Sequence, residues 1–376
     1  MNIALDLILK HNEFKVLAVI VLILFSTIFT LMVTLIDDIG SFPIPCNVSP
    51  EVFDRAYRLA RVAIRGGQAL RADAFVWENF GRVTLDAFKA KCLTGLNVVN
   101  YPQQYDGVLQ VSDVVHIAMS RGSFIVDEQD AFLPEVELIK QEATSISEEI
   151  GGKIKLRVCL FGPMEQYLKE MGTVAYADVL DGFAETIKRF AKNSLLDTEY
   201  VKTEVVSIDE PSFGMVDVAA EKEKLIEVLN KAFDFSGAVR QIHLHSSTRL
   251  ADCLKVKNID VVSFEGAASP RNVEAVSKKM LDEADKQIRV GVSRTDIDTI
   301  LAELNEKGFP KPTTEQMVEN EETIQKRFEA AKEKFGERLA FVGPDCGLGS
   351  WPSQEAALLL LKRTVAAVKN TQVPVE

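Results

Sequence analysis

Two of the four histidines in this 376-residue chain, His243 and His245, lie one residue apart in the stretch RQIHLH. Residues i and i+2 of a strand project from the same face, so both imidazoles would point one way, about 6–7 Å apart along the chain. Such a pair can ligate a metal or can be two polar residues sharing a strand end. Three other apolar runs end in groups capable of chemistry: Asp209 and Glu210 after TEVVSI, Glu265 after IDVVSF, and Asp345 and Cys346 after RLAFVGP. A further turn, DDIGSF, closes the first run. Two imidazoles, one carboxylate and one thiolate, from His243, His245, Glu265 and Cys346, form a chemically sensible tetrahedral set for Zn2+. A lone Glu or Cys is ordinarily surface or packing; the placement of all four at strand ends favours a shared site.

The elements that must position these groups are legible as an alternation. Eight short apolar runs, VTLIDDI, GLNVVNY, KIKLRVCLF, TEVVSID, VRQIHLH, IDVVSFE, KQIRVGV and RLAFVGP, read as buried parallel strands. Amphipathic stretches with helix start and stop signals separate most of them. Ser49-Pro50-Glu51 opens one before VFDRAYRLARVAI, and Gly66-Gly67 closes it. Other helices are expected in DVLDGFAETIKRFAKN, AAEKEKLIEVLNKAF, VEAVSKKMLDEADK, TDIDTILAELNEKG and SQEAALLLLKRTVAAVKN, and ENEETIQKRFEAAKEKFGER reads as a solvated helix face. The α/β class follows, as a single (βα)8 TIM barrel with an open doubly wound sheet as the alternative. No GxGxxG or GxxxxGK follows a strand, which weakens nucleotide binding. In a barrel the strand ends share one face, so the candidate ligands and DDIGSF would border one mouth. The strands at 34–39, 239–245, 259–265 and 339–344 are expected to adjoin.

A formal charge of −12, with no basic block, argues against nucleic acid as a partner. The five cysteines have no CxxC spacing and read as reduced cytoplasmic thiols. Val16 to Ile36 carries no charge and could span a bilayer. Its tail, however, continues into the first strand, which leaves only about 16 residues for a span against the usual ~17–25. Lys10 and Lys15 before it and Asp37 and Asp38 after it would also send the body outside the cell. The expectation is therefore an apolar extension over residues 1–32, with 1–31 read either from a start upstream of Met32 or as a membrane segment, a barrel over 33–370, a tail over 371–376, and a cytoplasmic location, with membrane anchoring by the apolar run as the alternative.

In chain order, DDIGSFP, SIDEPS, IHLH, VVSFE and VGPDCGLGSWPSQEAALLLLK resemble the catalytic barrel of cobalamin-independent methionine synthase, in the uroporphyrinogen decarboxylase and methionine synthase superfamily. The resemblance covers roughly residues 33–370, and GPDCGL with the final helix is its most specific part. It implies a zinc ion that activates the thiol of homocysteine for methylation, giving methionine. His243, Glu265 and Cys346 match the family's zinc ligands, and His245 stands where the family has Cys. Ile39-Gly40-Ser41 and Asp209 match groups that hold the amino-acid end of homocysteine.

The chain also departs from the family pattern. Pro102 or Gln103 takes the place of a substrate-binding glutamate after the second strand. Met215 replaces a folate-contacting glutamate, and IRVGVSRTD lacks the histidine proton donor. Loss of the folate side points to a methylated corrinoid protein as methyl donor, because cobalt leaves without needing a proton. Replacing a ligand thiolate with His245 would leave the zinc site neutral, a stronger Lewis acid that holds a thiolate more tightly and makes it less nucleophilic. His245 is alternatively a group beside a three-ligand site. The competing readings are a metal-free decarboxylase of the same superfamily and a barrel that has lost catalysis.

Overall fold

Burial on both faces makes parallel strands read as continuous apolar runs, and each of the eight runs forms one strand. In the structure, a computed structural model that describes residues 34–372, these are β1 (Leu35–Ile36), β2 (Val99–Asn100), β3 (Ile154–Phe161), β4 (Val201–Asp209), β5 (Val239–Leu244), β6 (Val261–Phe264), β7 (Gln287–Ser293) and β8 (Leu339–Pro344). All pair in parallel, in the order β1-β8-β7-β6-β5-β4-β3-β2. The remaining gap is closed by a parallel bridge from Asp37 to Val98. There the Ile36 carbonyl accepts from the N–H groups of Asn97 and Val98, at 2.8 and 3.2 Å. The fold is the expected (βα)8 barrel. Of the four strands expected to adjoin, β1 pairs with β8 and β5 with β6, while β7 intervenes between β6 and β8.

Local capping explains where the helices begin and end. Helix Pro50–Arg65 starts where the Ser49 hydroxyl accepts from Val52 N at 3.3 Å, and it stops at Gly66. The single helix expected over 273–286 is two helices, Pro270–Glu274 and Lys278–Ala284. The second starts where Ser277 accepts from Met280 N; a serine inside an apparent helix is a strong start signal. Helix Glu321–Phe335 is not simply a solvated face, since Ile324, Phe328, Ala331 and Phe335 are buried along one side. Its exposed side does carry the expected i,i+4 pair of Lys326 with Glu322. The last helix, Gln354–Gln372, continues past the expected boundary at residue 370.

The barrel interior is built in layers drawn from alternate strands. Val98, Val205, Val261 and Phe341, from β4, β6, β8 and the residue before β2, form one apolar layer. Another layer is charged: Asp37 just past β1, Arg157 of β3, Gln241 of β5 and Arg289 of β7 are all fully buried. Asp37 binds the Arg157 guanidinium through one oxygen and Arg289 Nε through the other, the latter at 2.7 Å. The Gln241 carboxamide, with its oxygen toward Arg157, accepts from that guanidinium. One carboxylate therefore faces two guanidiniums inside the barrel.

The expectations for residues 1–31 lie outside the described residues. Among the described residues no helix is long and apolar enough to cross a membrane.

Candidate metal centre and substrate cavity

β5 delivers both histidines to the mouth, with ring centroids 5.5 Å apart and planes 73° to one another. His243 is buried, and its Nδ1 lies 3.0 Å from the hydroxyl of Ser263 on β6. Its Nε2 is also buried but has no hydrogen-bond partner among the described residues. Leaving such an atom unsatisfied costs about 1–3 kcal/mol, so the nitrogen is set up for a guest. His245 Nε2 lies 3.5 Å from Cys346 Sγ and 3.6 Å from a Glu265 carboxylate oxygen. The donor atoms of His243, His245 and Cys346 all fall within 4.8 Å of one another. Glu265 stands beside this group through His245 and is not part of it.

The electrostatics favour neutral imidazoles, as metal ligation requires, and hold the thiol in its protonated form. Burial, reinforced by His245, Arg289 and Arg157, holds His243 well below the ordinary imidazole range. Burial also lowers His245, against the pull of Asp209 and Glu165. Burial, and then the nearby Glu265, pushes the Cys346 thiol upward, while burial raises Glu265 to about 7. Both imidazoles are thus neutral and ready to donate, and the thiol keeps its proton until something displaces it.

Residues that the sequence did not single out as supports hold these ends in register. Asp345 is fully buried, and its carboxylate accepts from the N–H groups of Gly266, Ala267 and Ala268 at 2.8, 2.9 and 2.6 Å. It thereby ties the Cys346 end of β8 to the loop after Glu265. Asn272 donates to the carbonyls of His245 and Glu265, joining β5 to β6. A Cβ on Gly291 would lie 2.0 Å from the Asp345 carboxylate, so β7 requires glycine there. The available signals were Ser263, two residues before Glu265 and therefore on the same strand face, and the Asp-Cys pair at 345–346.

The mouth opens into a cavity of about 930 Å3. Ile39, Gly40, Ser41 and Asp209 line it, together with His243, His245 and Cys346, whereas Glu265 does not. Gly40 adopts φ +64°, and the turn it makes is locked to the Gly347-Leu348-Gly349 loop. Leu348 N donates to the Ser41 carbonyl at 2.6 Å, and Gly349 N donates to its hydroxyl at 3.1 Å. A Cβ on either Gly347 or Gly349 would meet the Ser41 hydroxyl at 2.6 Å. Asp209 accepts from the Ser207 hydroxyl; burial raises its pKa, opposed by Arg157 and that hydrogen bond. Its neighbour Glu210 turns away to accept from Met164 N and Glu165 N at the start of helix Pro163–Met171. Gln103, one of the two residues expected in place of the family's glutamate, lines the wall at φ +44° and donates from its amide to Gln110. Met215 is 58% exposed and does not line the cavity.

No protein-family model matches the chain. Among curated proteins, a methionine synthase of Methanothermobacter marburgensis is 25% identical over 284 residues, which is 70% of this chain and 82% of that protein. Among solved structures, a B12-independent methionine synthase from Shewanella sp. W3-18-1, in complex with selenomethionine, matches with a TM-score of 0.57 at 14% identity. The match covers 90% of this chain and 97% of that one. At that identity the structural likeness establishes the barrel fold.

Proposed function

The chain is a methionine synthase-like barrel, and on that premise we propose that it is a methyltransferase of methionine synthesis that methylates a thiol, homocysteine or a close analogue, at a zinc site. His243, His245 and Cys346 would hold the ion, with Glu265 as fourth ligand until the substrate sulfur enters. The observation that carries this reading is the unpartnered, buried Nε2 of His243 within 4.8 Å of the other two donors. The donor set fits Zn2+, which accepts imidazole nitrogen, thiolate sulfur and carboxylate oxygen in a tetrahedral shell. Bound there, zinc would supply Lewis acidity that ionises a thiol near neutral pH.

The protein's own residues do the remaining work. Asp209, on the cavity wall and within the influence of His245, would pair with the substrate ammonium. The Gly40-Ser41 turn, fixed by the glycine loop, would border its carboxylate end. Such positioning converts a bimolecular encounter into an oriented one. Asp209→Asn should raise the homocysteine KM by about tenfold to a hundredfold, the range for losing one charge-assisted hydrogen bond of ~1.5–3 kcal/mol, while zinc content stays unchanged. Equal loss of zinc and of substrate binding would make Asp209 structural instead.

Zinc uptake should depend on pH in a set direction. Cys346 must lose its proton to ligate, and Glu265, at about 7, keeps its own below neutrality. Raised folded-state pKa values mean that protons oppose the metal, so affinity should rise with pH. It should climb by up to about a hundredfold per unit below pH 7, where two protons leave, and by about tenfold per unit above it, where only the thiol proton does. Zinc titrations from pH 5.5 to 8.5 check this; a flat profile would remove Cys346 from the ligand set.

The comparisons give no support to a corrinoid protein as the methyl donor. Methionine formed from homocysteine, followed by mass spectrometry with several donors offered separately, tests the function. Failure of the protein to accelerate homocysteine methylation by any donor would refute it.

A further inference from the structure

We propose that Glu135, buried behind the cavity wall, decides through Gln110 which end of the Gln103 amide faces the substrate. This rests on the amino-acid thiol reading above and adds a positioning residue that touches no substrate.

Gln103 is a constrained wall residue. It is buried, lines the cavity and holds a left-handed φ of +44° without being glycine. A side-chain-bearing residue stays in that region only where its surroundings fix it, and such strain gathers at functional sites. A Cβ on Gly107 would lie 2.8 Å from Gln103 Nε2, so glycine there leaves room for the amide. The Nε2 donates to Gln110 Oε1 at 3.3 Å, while the Gln103 Oε1 has no hydrogen-bond partner among the described residues. That oxygen lies beside the Gly40-Ser41 turn, where a Cβ on Gly40 would come within 3.8 Å of it. A carbonyl oxygen only accepts, so this face suits the ammonium end of an amino acid.

The group that keeps the amide this way round lies outside the cavity. Gln110 is buried, and its Nε2 donates to Glu135 Oε1 at 2.8 Å, which turns its carbonyl toward Gln103. Tyr101 opposes that arrangement. Its hydroxyl has one proton for two acceptors, the Cys159 carbonyl at 2.9 Å and Gln110 Oε1 at 3.0 Å, and the NH2 end of Gln110 would serve it better. The present sense therefore needs a pure acceptor at the far end, which an ionised carboxylate supplies.

Glu135 is fully buried in the first turn of helix Pro134–Gln141, where the helix dipole favours an anion. Its other oxygen is buried without a partner among the described residues, so a hydrogen-bonded packing role does not account for the carboxylate. Burial raises it to about 7, opposed by a backbone N–H, Arg61 and Gln110, and it is ionised at pH 8. An amide in its place would turn oxygen toward the Arg61 charge and NH2 toward Gln110. Gln110 would then give its own NH2 to Tyr101 and Gln103, and the whole chain would reverse.

The test compares the zinc-supplied full chain with its isosteric variant Glu135→Gln at pH 8. Neutron diffraction from deuterium-exchanged crystals tells an amide's ND2 from its oxygen. The wild type should show the Gln103 oxygen toward the cavity, and Glu135→Gln should show ND2 there. Calorimetry should find L-homocysteine bound about tenfold more weakly by the variant, the loss of one hydrogen bond to an ammonium. The same thiol without its amino group, 4-mercaptobutanoate, should bind both proteins equally. Adding Gln103→Glu to Glu135→Gln supplies an acceptor on both sides of that residue, so homocysteine affinity should recover. Thermal melting checks that the variants fold, and the wild-type map alone decides the matter if they do not. ND2 toward the cavity in the wild type, or one orientation in both proteins, would overturn the proposal. So would equal weakening of both thiols, which makes Glu135 structural, or no recovery in the double variant. If neither thiol binds the wild type, the thiol-methylating reading fails and the neutron maps decide the role of Glu135 by themselves.

Discussion

His243→Ala should leave the barrel folded and unable to retain zinc. Apparent binding energies of structural zinc sites, about 10–16 kcal/mol over four ligands, imply roughly 2.5–4 kcal/mol per ligand. Affinity should therefore fall on the order of a few hundredfold, which dialysis against a weak chelator followed by metal analysis will read. The metal-free protein should change little. Removing the imidazole deletes the bond to Ser263 and some packing, but it also removes the desolvated, unpartnered Nε2, whose penalty is about 1–3 kcal/mol. Loss of zinc with an unchanged urea midpoint is the expected combination. Zinc retained at wild-type affinity would make His243 an ordinary buried polar residue.

Asp37→Asn should be the most damaging isosteric change in the barrel. Asp37 is the carboxylate that two fully buried guanidiniums, Arg157 and Arg289, share. Asparagine keeps the shape and removes the charge, leaving two like charges desolvated next to one another. Breaking a buried ion pair by neutralising one partner costs about 3–5 kcal/mol, a large part of the usual 5–15 kcal/mol total stability. A clear drop in melting temperature and urea midpoint is expected, and an unchanged midpoint would mean that Gln241 and the Pro344 carbonyl, which also accept from these arginines, suffice. Because both arginines help keep His243 neutral, this charged floor joins stability to the state of the site above it.

These two residues also mark how far the sequence could be read. The eight strands were visible because burial on both faces leaves apolar runs that only turns interrupt, and the mouth followed from the polar residues that end them. The charged floor was written into the same runs, as the Asp of LIDDI and the Arg of KLRV and QIRV. Nothing local indicates that Asp37 meets partners 120 and 252 residues away, since only closure of the barrel brings them together. His243, His245 and Cys346 were legible for the opposite reason, as each ends a strand and the fold alone makes them converge. Glu265 converges less fully, reaching His245 but not lining the cavity. The supports Asp345 and Asn272 act through backbone N–H and carbonyl groups that carry no side-chain signature, so spacing could not assign them. The break at Ser277 and the buried side of Glu321–Phe335 were obscured where high charge masked a short apolar stripe.

The central claim is that one metal site binds both the protein's donors and the substrate sulfur. X-ray absorption at the zinc edge, on zinc-loaded protein with and without homocysteine, tests it most directly. The account predicts one zinc per chain, with nitrogen and oxygen ligands and a single sulfur from Cys346 in the free protein, and a second sulfur when homocysteine is added. A protein that retains no zinc, or a sulfur count that homocysteine leaves unchanged, would contradict it.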